Sequence, residues 1–199
     1  TNRIPVTLDR VSPAALLAIV AYEDDDFFGH YGVDALGILR AAYEEFLGDA
    51  GRGGSTITTQ VIKNVLLQDI RSERSLERKA KEAMLALELE RRLTKSEILQ
   101  HYINVIFWGG NVYGIGAAAE YYYGKSAADL TLPEAAQLVS VFPSPNAYKV
   151  DDEANLEAAL ARRNLVLQRM NERGYIDDAT YQEAVNTPIT PHITQQSRG

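Results

Sequence analysis

The stretch PAALLAIVAYEDDDFFGHYGVD, residues 13 to 34, places an apolar run directly before four consecutive acids. Ser12 and Pro13 are residue types that favour the cap and the first position of a helix, so a helix running to about Tyr22 is predicted. The four carboxylates that follow, Glu23 to Asp26, repel one another, and apolar surroundings make each charge harder to hold. Their place at the end of an apolar helix therefore needs an explanation.

Three interpretations of the acidic run can be compared. A solvated loop at a helix end accounts for most acidic runs. A calcium loop is excluded, because the alternating ligand spacing of such loops is missing. In the third interpretation one acid is a general acid or base, since like charges and apolar rings raise a carboxyl pKa. Glu23 is the best candidate because it follows the helix directly, whereas Asp25 and Asp26 can face water.

Helix-capping signals recur along the chain and predict a mainly α fold. Candidate strands are scarce, and IPVTL, residues 4 to 8, is the best of them. The segment GDAGRGGSTITTQ, residues 48 to 60, is the clearest break between helical patterns. The capping signals are Asp34, Ser75, the capping boxes Thr94 with Glu97 and Thr131 with Glu134, Gly174 as a helix end, and Asp177 or Asp178.

Composition limits the possible classes of protein. The chain has 199 residues, 46% of them hydrophobic, which is enough for one domain with a real core. Its net charge of −7 argues against a general nucleic-acid-binding surface. It contains no cysteine, so disulfides and thiolate metal sites are excluded. The sequence has no run of 18 uncharged apolar residues, so no segment of it is predicted to span a bilayer.

The stretch RGGSTITTQVIKN, residues 52 to 64, combines glycines with a row of hydroxyls. Gly53 and Gly54 permit close backbone approach, and Gln60 and Lys63 follow behind the hydroxyls. Such a segment forms either an anion cradle or a helix-capping turn, and the pattern leaves both open. It is not a phosphate loop of the Walker A type, and the chain holds no Ser-x-x-Lys nucleophile.

A basic island interrupts this acidic chain shortly before Glu82. It forms either a helix face with i,i+4 ion pairs or a site for a phosphorylated ligand. Arg78 and Glu82 are four residues apart and share a helix face. A lone glutamate among cations is expected to stay ionised, unlike Glu23. This contrast predicts different roles for the two carboxylates. The basic residues are Arg52, Lys63, Arg71, Arg74, Arg78, Lys79 and Lys81, with only Asp69, Glu73 and Glu77 among them.

Five ordered motifs carry a family resemblance from about Val11 to Ile176. They are EDDDFFGHYG, GGSTITTQVIKN, RKAKE, KSEILQHYINVIFWG and YGIGAAAEYYYGKS. In this order and spacing the chain resembles the peptidoglycan glycosyltransferases, glycosyltransferase family 51. This family is the module found in class A penicillin-binding proteins and in monofunctional cell-wall glycosyltransferases. Two positions depart from its pattern: Thr59 replaces a glutamine, and Gln100 stands where glutamate is common.

The resemblance assigns roles to residues of the first three motifs. Glu23 matches the catalytic base, and Glu82 matches the second essential glutamate. Asp24 matches the acid beside the base and is assigned to substrate binding. The remaining matches bind the substrate and its phosphates: Ser55, Gln60, Lys63, Arg74, Arg78 and Lys79. No obligatory cofactor is implied, and a divalent cation, Mg²⁺ or Mn²⁺, near Glu82 is left open.

The resemblance also implies an architecture. It predicts a lysozyme-like, mainly α fold with a large globular lobe and a smaller, membrane-proximal jaw lobe at about residues 41–76. The glycosyltransferase domain would span residues 1–186, and residues 187–199, with two prolines, would form a linker or tail. In VIKNVLLQDI, residues 61 to 70, apolar side chains lie beside a lysine, a mixture suited to a membrane interface.

The implied activity is the polymerisation of lipid II into β-1,4-linked glycan strands, with inversion at the anomeric carbon and release of undecaprenyl pyrophosphate. Expected partners are lipid II, the growing strand, the membrane surface, a downstream transpeptidase domain and other cell-wall synthesis proteins. The expected location is the extracytoplasmic face of the bacterial plasma membrane. Two alternatives remain: a lysozyme-like lytic transglycosylase, and a non-catalytic module that binds lipid II.

Overall fold

The computed structural model describes residues 2–34, 55–66, 76–109, 111–142 and 156–188. Over these ranges the chain is mainly helical with two short strands, which confirms the predicted fold class. The helices are α1 (Pro13–Glu23), α2 (Ile57–Val65), α3 (Leu76–Arg92), α4 (Lys95–Val105), α5 (Ile115–Tyr123), α6 (Leu132–Ser140), α7 (Leu156–Glu172) and α8 (Asp178–Asn186). The strands are β1 (Asn2–Arg3) and β2 (Val112–Tyr113), and short 3-10 helices cover Leu8–Arg10 and Ala127–Asp129.

The chain divides into two compact units. The first unit comprises residues 1–22 and 106–199, and the second comprises residues 23–105. Helix α1 therefore belongs to the first unit up to Tyr22, and its last residue, Glu23, begins the second. Among the described residues, every helix is too short or too polar to cross a lipid bilayer.

The first unit is built on a small parallel β pair and a group of packed helices. Strand β1 pairs with β2 in the register Asn2 to Val112 and Arg3 to Tyr113. Helix α6 packs on α7, and α7 packs on α8. Trp108 is fully buried, and its ring centroid lies 4.6 Å from that of Phe142. Large aromatic side chains of this kind contribute much of the apolar burial that stabilises a core.

Two arginines of α7 fix the end of α1. Arg162 Nη2 donates to the Tyr22 hydroxyl at 2.7 Å. The Arg169 guanidinium lies 4.5 Å from the centroid of the Tyr22 ring, within cation–π range. Tyr22 is the residue before Glu23, so these contacts hold the backbone from which the first acid projects.

In the second unit, α2 packs against both α3 and α4. A buried polar cluster joins the three helices. Glu90 Oε1, on α3, accepts from the Thr58 hydroxyl of α2 at 2.6 Å and from Lys95 Nζ of α4 at 2.7 Å. Lys95 Nζ also lies 4.4 Å from the centroid of the buried Phe27 ring. Each charge in this cluster has a partner, as burial demands.

The loop that carries the acidic run closes against α3 through a glycine. Gly32 has a φ of +77°, a left-handed conformation that side chains rarely adopt. A Cβ at this position would lie only 2.8 Å from the Ala86 carbonyl oxygen of α3. The glycine of the first motif is therefore required for backbone geometry and for close packing on α3.

Several local predictions can be compared with the structure. The Thr94–Glu97 capping box is confirmed, since Thr94 N donates to Glu97 Oε2 at 2.8 Å and Glu97 N donates to Thr94 Oγ1 at 3.3 Å. Asp177 rather than Asp178 caps α8, because its Oδ1 accepts from Thr180 N at 2.8 Å. Gly174, with a φ of +71°, follows the end of α7 as predicted.

The predicted strand at residues 4–8 is wrong. Pairing is confined to Asn2 and Arg3, and a 3-10 helix begins at Leu8. Pro5 has no N–H with which to continue the ladder, and this explains the early end of the strand. The helix predicted after Asp34, the Ser75 cap and residues 41–54 and 67–75 of the predicted jaw lie outside the described residues.

Candidate active site

Glu23 lies at the C-terminal end of α1 and is half-buried. Its Oε2 accepts a 2.6 Å hydrogen bond from Gln60 Nε2 of α2. Lys63 follows Gln60 by three residues, so both side chains lie on one face of α2. Glu23, Gln60 and Lys63, three residues that the sequence assigns to the site, thus all belong to the second unit.

Asp24 is buried and engaged on both carboxylate oxygens. Its side chain is 5% exposed. Oδ1 lies 2.8 Å from His30 Nε2, and Oδ2 accepts from the Ile57 backbone N–H at 2.9 Å. Ile57 is the first residue of α2, where backbone N–H groups lack helical partners and a negative charge is favourable. Asp24 therefore joins the acidic loop to the start of the helix that carries Gln60.

The hydroxyl row of the second motif forms a helix cap. Thr56 is the N-cap of α2, and its Oγ1 accepts from Thr59 N at 3.1 Å. The Thr56 hydroxyl donates to the Gly32 carbonyl at 2.8 Å, and the Thr59 hydroxyl donates to the Thr56 carbonyl at 2.9 Å. Thr59, the residue that departs from the family pattern, thus points into the protein. Of the two interpretations of this segment, the capping turn is confirmed for these hydroxyls.

Glu82 is the centre of a second cluster, on α3. It is 2% exposed and pairs with Arg78 Nη1 one turn earlier. Lys79 Nζ lies 3.1 Å from Glu82 Oε2 and also donates to Ser55 Oγ at 3.1 Å. Arg78 and Lys79 therefore form the ion pairs predicted for the basic island, and they are also two of the residues predicted to bind the ligand. Because Ser55 and Ile57 are two residues apart, the start of α2 contacts both this cluster and Asp24.

Tyr102 is a site residue that the sequence analysis did not single out. It is fully buried on α4, and its hydroxyl lies 3.4 Å from Gln60 Oε1. Burial raises the pKa of this hydroxyl well above its ordinary value, and the charges of Glu23 and Asp24 and a hydrogen bond with Glu23 add to the shift. One feature of the sequence could have indicated Tyr102: it lies among aliphatic core positions of α4. A phenol buried there needs a hydrogen-bond partner on another element.

The Glu23 and Glu82 clusters therefore contain every predicted site residue that the structure describes other than Lys63, which lies on the face of α2 that carries Gln60. Arg74 lies outside the described residues. Within the described ranges no three His, Cys, Asp or Glu side chains come together as a metal site would require. The Glu82 oxygens face two cations, which repel a metal ion, so the described residues do not fit the divalent cation that the resemblance left open.

The geometry divides the chemistry between the two acids. Glu23 is oriented by a neutral amide, which leaves its carboxylate able to accept a proton. Glu82 is bound by two cations, and Lys79 remains half-exposed beside Ser55. An arrangement with one oriented base and one anchored cationic group suits a reaction in which a hydroxyl attacks and an anionic group departs.

Comparison with known proteins identifies the family. A family model described as transglycosylase matches residues 1–171. Penicillin-binding protein 1A of Aquifex aeolicus is 44% identical over 190 residues, which cover 95% of this chain and 26% of that protein. Penicillin-binding protein 1A of Escherichia coli K12 is 45% identical over 190 residues, with 93% and 22% covered. The chain thus spans about a quarter of the length of these relatives.

A solved structure shares the fold. The crystal structure of penicillin-binding protein 1A from Haemophilus influenzae matches with a TM-score of 0.57 and 24% identity, and covers 98% of this chain and 19% of that one. The match of the family model over residues 1–171 agrees with the five motifs and with the mainly helical fold. The chain belongs to the transglycosylase family, the peptidoglycan glycosyltransferases of family 51.

Proposed function

We propose that this chain polymerises lipid II into β-1,4-linked glycan strands as a peptidoglycan glycosyltransferase. The observation that carries the proposal is the placement of Glu23, half-buried at the end of α1 and oriented by Gln60 at 2.6 Å. Family membership supports the same reaction. The relatives that match are named penicillin-binding proteins, and these names are consistent with a role in cell-wall synthesis.

In the proposed mechanism the Glu23 carboxylate takes the proton of a sugar 4-hydroxyl as its oxygen attacks the anomeric carbon of the donor. The new C–O bond forms as the bond to the undecaprenyl pyrophosphate breaks, and the electron pair leaves with the pyrophosphate. Attack opposite the leaving group inverts the anomeric carbon, and this gives the β-1,4 link. Pyrophosphate carries its own negative charge well, so the departing oxygen requires cations rather than an acid.

Those cations come from the basic island. Lys63, Arg74, Arg78 and Lys79 are the proposed partners of the pyrophosphate. Glu82 holds Arg78 and Lys79 in place, which explains a buried carboxylate among cations better than a second role in proton transfer. No step of this mechanism passes through a metal ion.

The membrane surface is the proposed working environment of the chain. Val65 and Leu66, at the end of α2, are 45% and 59% exposed, and the sequence places them beside Lys63. Exposed apolar groups next to a cation suit a lipid interface, and lipid II is itself membrane-bound. We further propose that the chain acts as one module of a longer protein at the extracytoplasmic face of the plasma membrane, beside a transpeptidase domain.

The decisive experiment measures glycan polymer formed from lipid II by the wild type and by Glu23→Gln. A general base contributes roughly 10² to 10⁴ in rate, so we expect kcat to fall by about that factor while the variant folds normally. Asp26→Asn is the matched control, because it neutralises an exposed acid of the same run. Near wild-type turnover in Glu23→Gln would contradict the assignment of the base.

The same assay separates the alternatives. A lytic transglycosylase would cleave finished peptidoglycan and form no polymer from lipid II. A module that only binds lipid II would retain the substrate without turning it over. A lytic transglycosylase does not explain why Arg78 and Lys79 are gathered on Glu82, because its reaction involves no pyrophosphate. A binding module does not explain why the Glu23 carboxylate is oriented by Gln60.

A further inference from the structure

Tyr102 places a hydroxyl where the rest of the α4 face is apolar. Its buried neighbours on that helix are Ile98, Leu99 and Ile103, and Tyr102 itself is 0% exposed. A buried phenol that found no partner would cost free energy, so the identity of its partners is informative. Those partners are the two groups that define the Glu23 end of the site.

The hydroxyl, the amide and the carboxylate form one connected set. Gln60 Nε2 donates to Glu23 Oε2 at 2.6 Å. The single hydroxyl hydrogen of Tyr102 is shared between Gln60 Oε1, at an O–O distance of 3.4 Å, and the Glu23 carboxylate. The chain segments that meet here are far apart in sequence, with separations of 37 and 42 residues. Three elements, α1, α2 and α4, thus supply one polar group each.

Tyr102 decides which way the Gln60 amide faces. An amide has an acceptor end and a donor end, and only the donor end is favourable against a carboxylate. A phenol that stays protonated offers its hydrogen to the acceptor end, so Oε1 turns to Tyr102 and Nε2 turns to Glu23. The raised pKa of Tyr102 keeps the phenol in this donor form over the neutral range.

We propose that Tyr102 is a positioning residue for Glu23, which acts through its hydroxyl on the Gln60 amide and on the carboxylate itself. The inference rests on the proposed function, since it assumes that Glu23 is the base. Tyr102 touches no reacting atom in this account. Its effect is to hold the carboxylate in one orientation before the sugar hydroxyl arrives, and pre-orientation of this kind is a recognised source of rate.

The test is Tyr102→Phe, assayed for kcat and KM with lipid II and for thermal stability. Loss of a hydrogen bond to a charged group predicts a fall in kcat of about tenfold or more. KM should stay within about twofold, because the substrate contacts are unchanged. Tyr122→Phe is the matched control: Tyr122 is also buried, and its hydroxyl donates to the Trp108 carbonyl at 2.8 Å, in the other unit.

We expect both Tyr→Phe variants to lower Tm to a similar extent and only Tyr102→Phe to lose kcat. Equal losses of kcat in the two variants would overturn the proposal, as would a kcat for Tyr102→Phe equal to that of the wild type. A loss that appears in KM alone would also overturn it, since that would place Tyr102 against the substrate.

A double-mutant cycle with Gln60→Ala provides a second readout that does not depend on the stability of one variant. Residues that act as one set are non-additive, so the double variant should lose less than the product of the single losses. Fully multiplicative losses would show that Tyr102 acts independently of Gln60. If the wild type forms no polymer, the proposed function fails; if it does and Tyr102→Phe matches it, only the positioning role fails.

Discussion

Glu23 and Glu82 belong to the same unit of the chain and differ in what holds them. Glu23 is half-buried and accepts from the neutral amide of Gln60. Glu82 is 2% exposed and pairs with Arg78 and Lys79. Two cations hold Glu82 in an ion-pair network, whereas the amide of Gln60 orients Glu23. The comparison teaches that the two acids are positioned by different kinds of partner, a pair of cations for one and an amide donor for the other.

The two acids should also differ in what they contribute to stability. A buried ion pair is a weak source of stability as a whole, but removal of one partner leaves the other charge buried and uncompensated. The Arg78 side chain is 7% exposed, and Glu82 places a carboxylate directly beside it. Substitution of the two acids by the same neutral residue therefore separates a chemical role from a structural one.

The largest effect on stability is expected for Glu82→Gln. We predict a loss of about 3 kcal/mol in the free energy of unfolding, because Arg78 loses its counter-charge in a buried position. We also predict a fall in kcat of roughly 100-fold, because the cations are no longer held for the pyrophosphate. Urea unfolding followed by circular dichroism measures the first quantity, and polymer formation from lipid II measures the second.

Glu77→Gln is the control on the same helix. Glu77 pairs with Lys81 at 2.7 Å, but its side chain is 77% exposed, and exposed pairs contribute little. We expect no measurable change in stability or turnover for this variant. The structural role of Glu82 would be contradicted if Glu82→Gln were as stable as the wild type. The difference between the two acids would be contradicted if Glu23→Gln lost as much stability as Glu82→Gln.

A smaller effect is expected for Asp24→Asn. The asparagine keeps an acceptor oxygen for the Ile57 N–H but presents its NH2 to His30, so His30 must change tautomer to keep the contact, and the negative charge at the start of α2 is lost. We predict a loss of about 1–2 kcal/mol in unfolding free energy. We also expect a fall in kcat of about tenfold, since displacement of α2 moves Gln60 away from Glu23.

The kinetic pattern of this variant distinguishes two roles for Asp24. The family resemblance assigns it to substrate binding, and the structure shows both of its oxygens occupied by the protein. Lower kcat with unchanged KM fits a residue that positions α2. Higher KM with unchanged stability would instead indicate direct contact with the substrate. Asp26→Asn, an exposed acid two residues away, is the control and should behave as wild type.

How much the sequence could predict depended on the distance between partners along the chain. Arg78 and Glu82 are one helical turn apart, so helix geometry alone placed them together, and the structure confirms the pair. Thr94 and Glu97 followed in the same way from local capping chemistry. These predictions needed only the period of a helix.

Partners that are far apart in sequence could not be found by the same reasoning. Gln60 and Glu23 are 37 residues apart, and only the family resemblance suggested that both belong to the site. Tyr102 received no role because its place among aliphatic core positions does not indicate which other helix its hydroxyl reaches. The strand predicted at residues 4–8 failed for a local reason instead, since Pro5 has no N–H with which to continue the pairing that Asn2 and Arg3 make with β2.

The smallest predicted effect concerns the exposed end of α2, one turn from Lys63. We expect the double variant Val65→Ser, Leu66→Ser to bind vesicles of phosphatidylethanolamine and phosphatidylglycerol about fivefold more weakly than the wild type, because it removes apolar area that would enter the lipid interface. Leu156→Ser, Leu165→Ser is the matched control, since each of these leucines is 38% exposed on α7. Vesicle co-sedimentation measures both variants.

The same pair of variants relates membrane contact to the comparison of the two acids. If α2 contacts lipid through Val65 and Leu66, it brings Gln60 and Lys63 to the depth at which the pyrophosphate of a membrane-bound substrate lies. Turnover of lipid II in vesicles should then fall with binding, whereas turnover of a short-chain, water-soluble analogue should stay unchanged. Equal loss on both substrates would instead mean that these substitutions disturb the site around Glu23 directly.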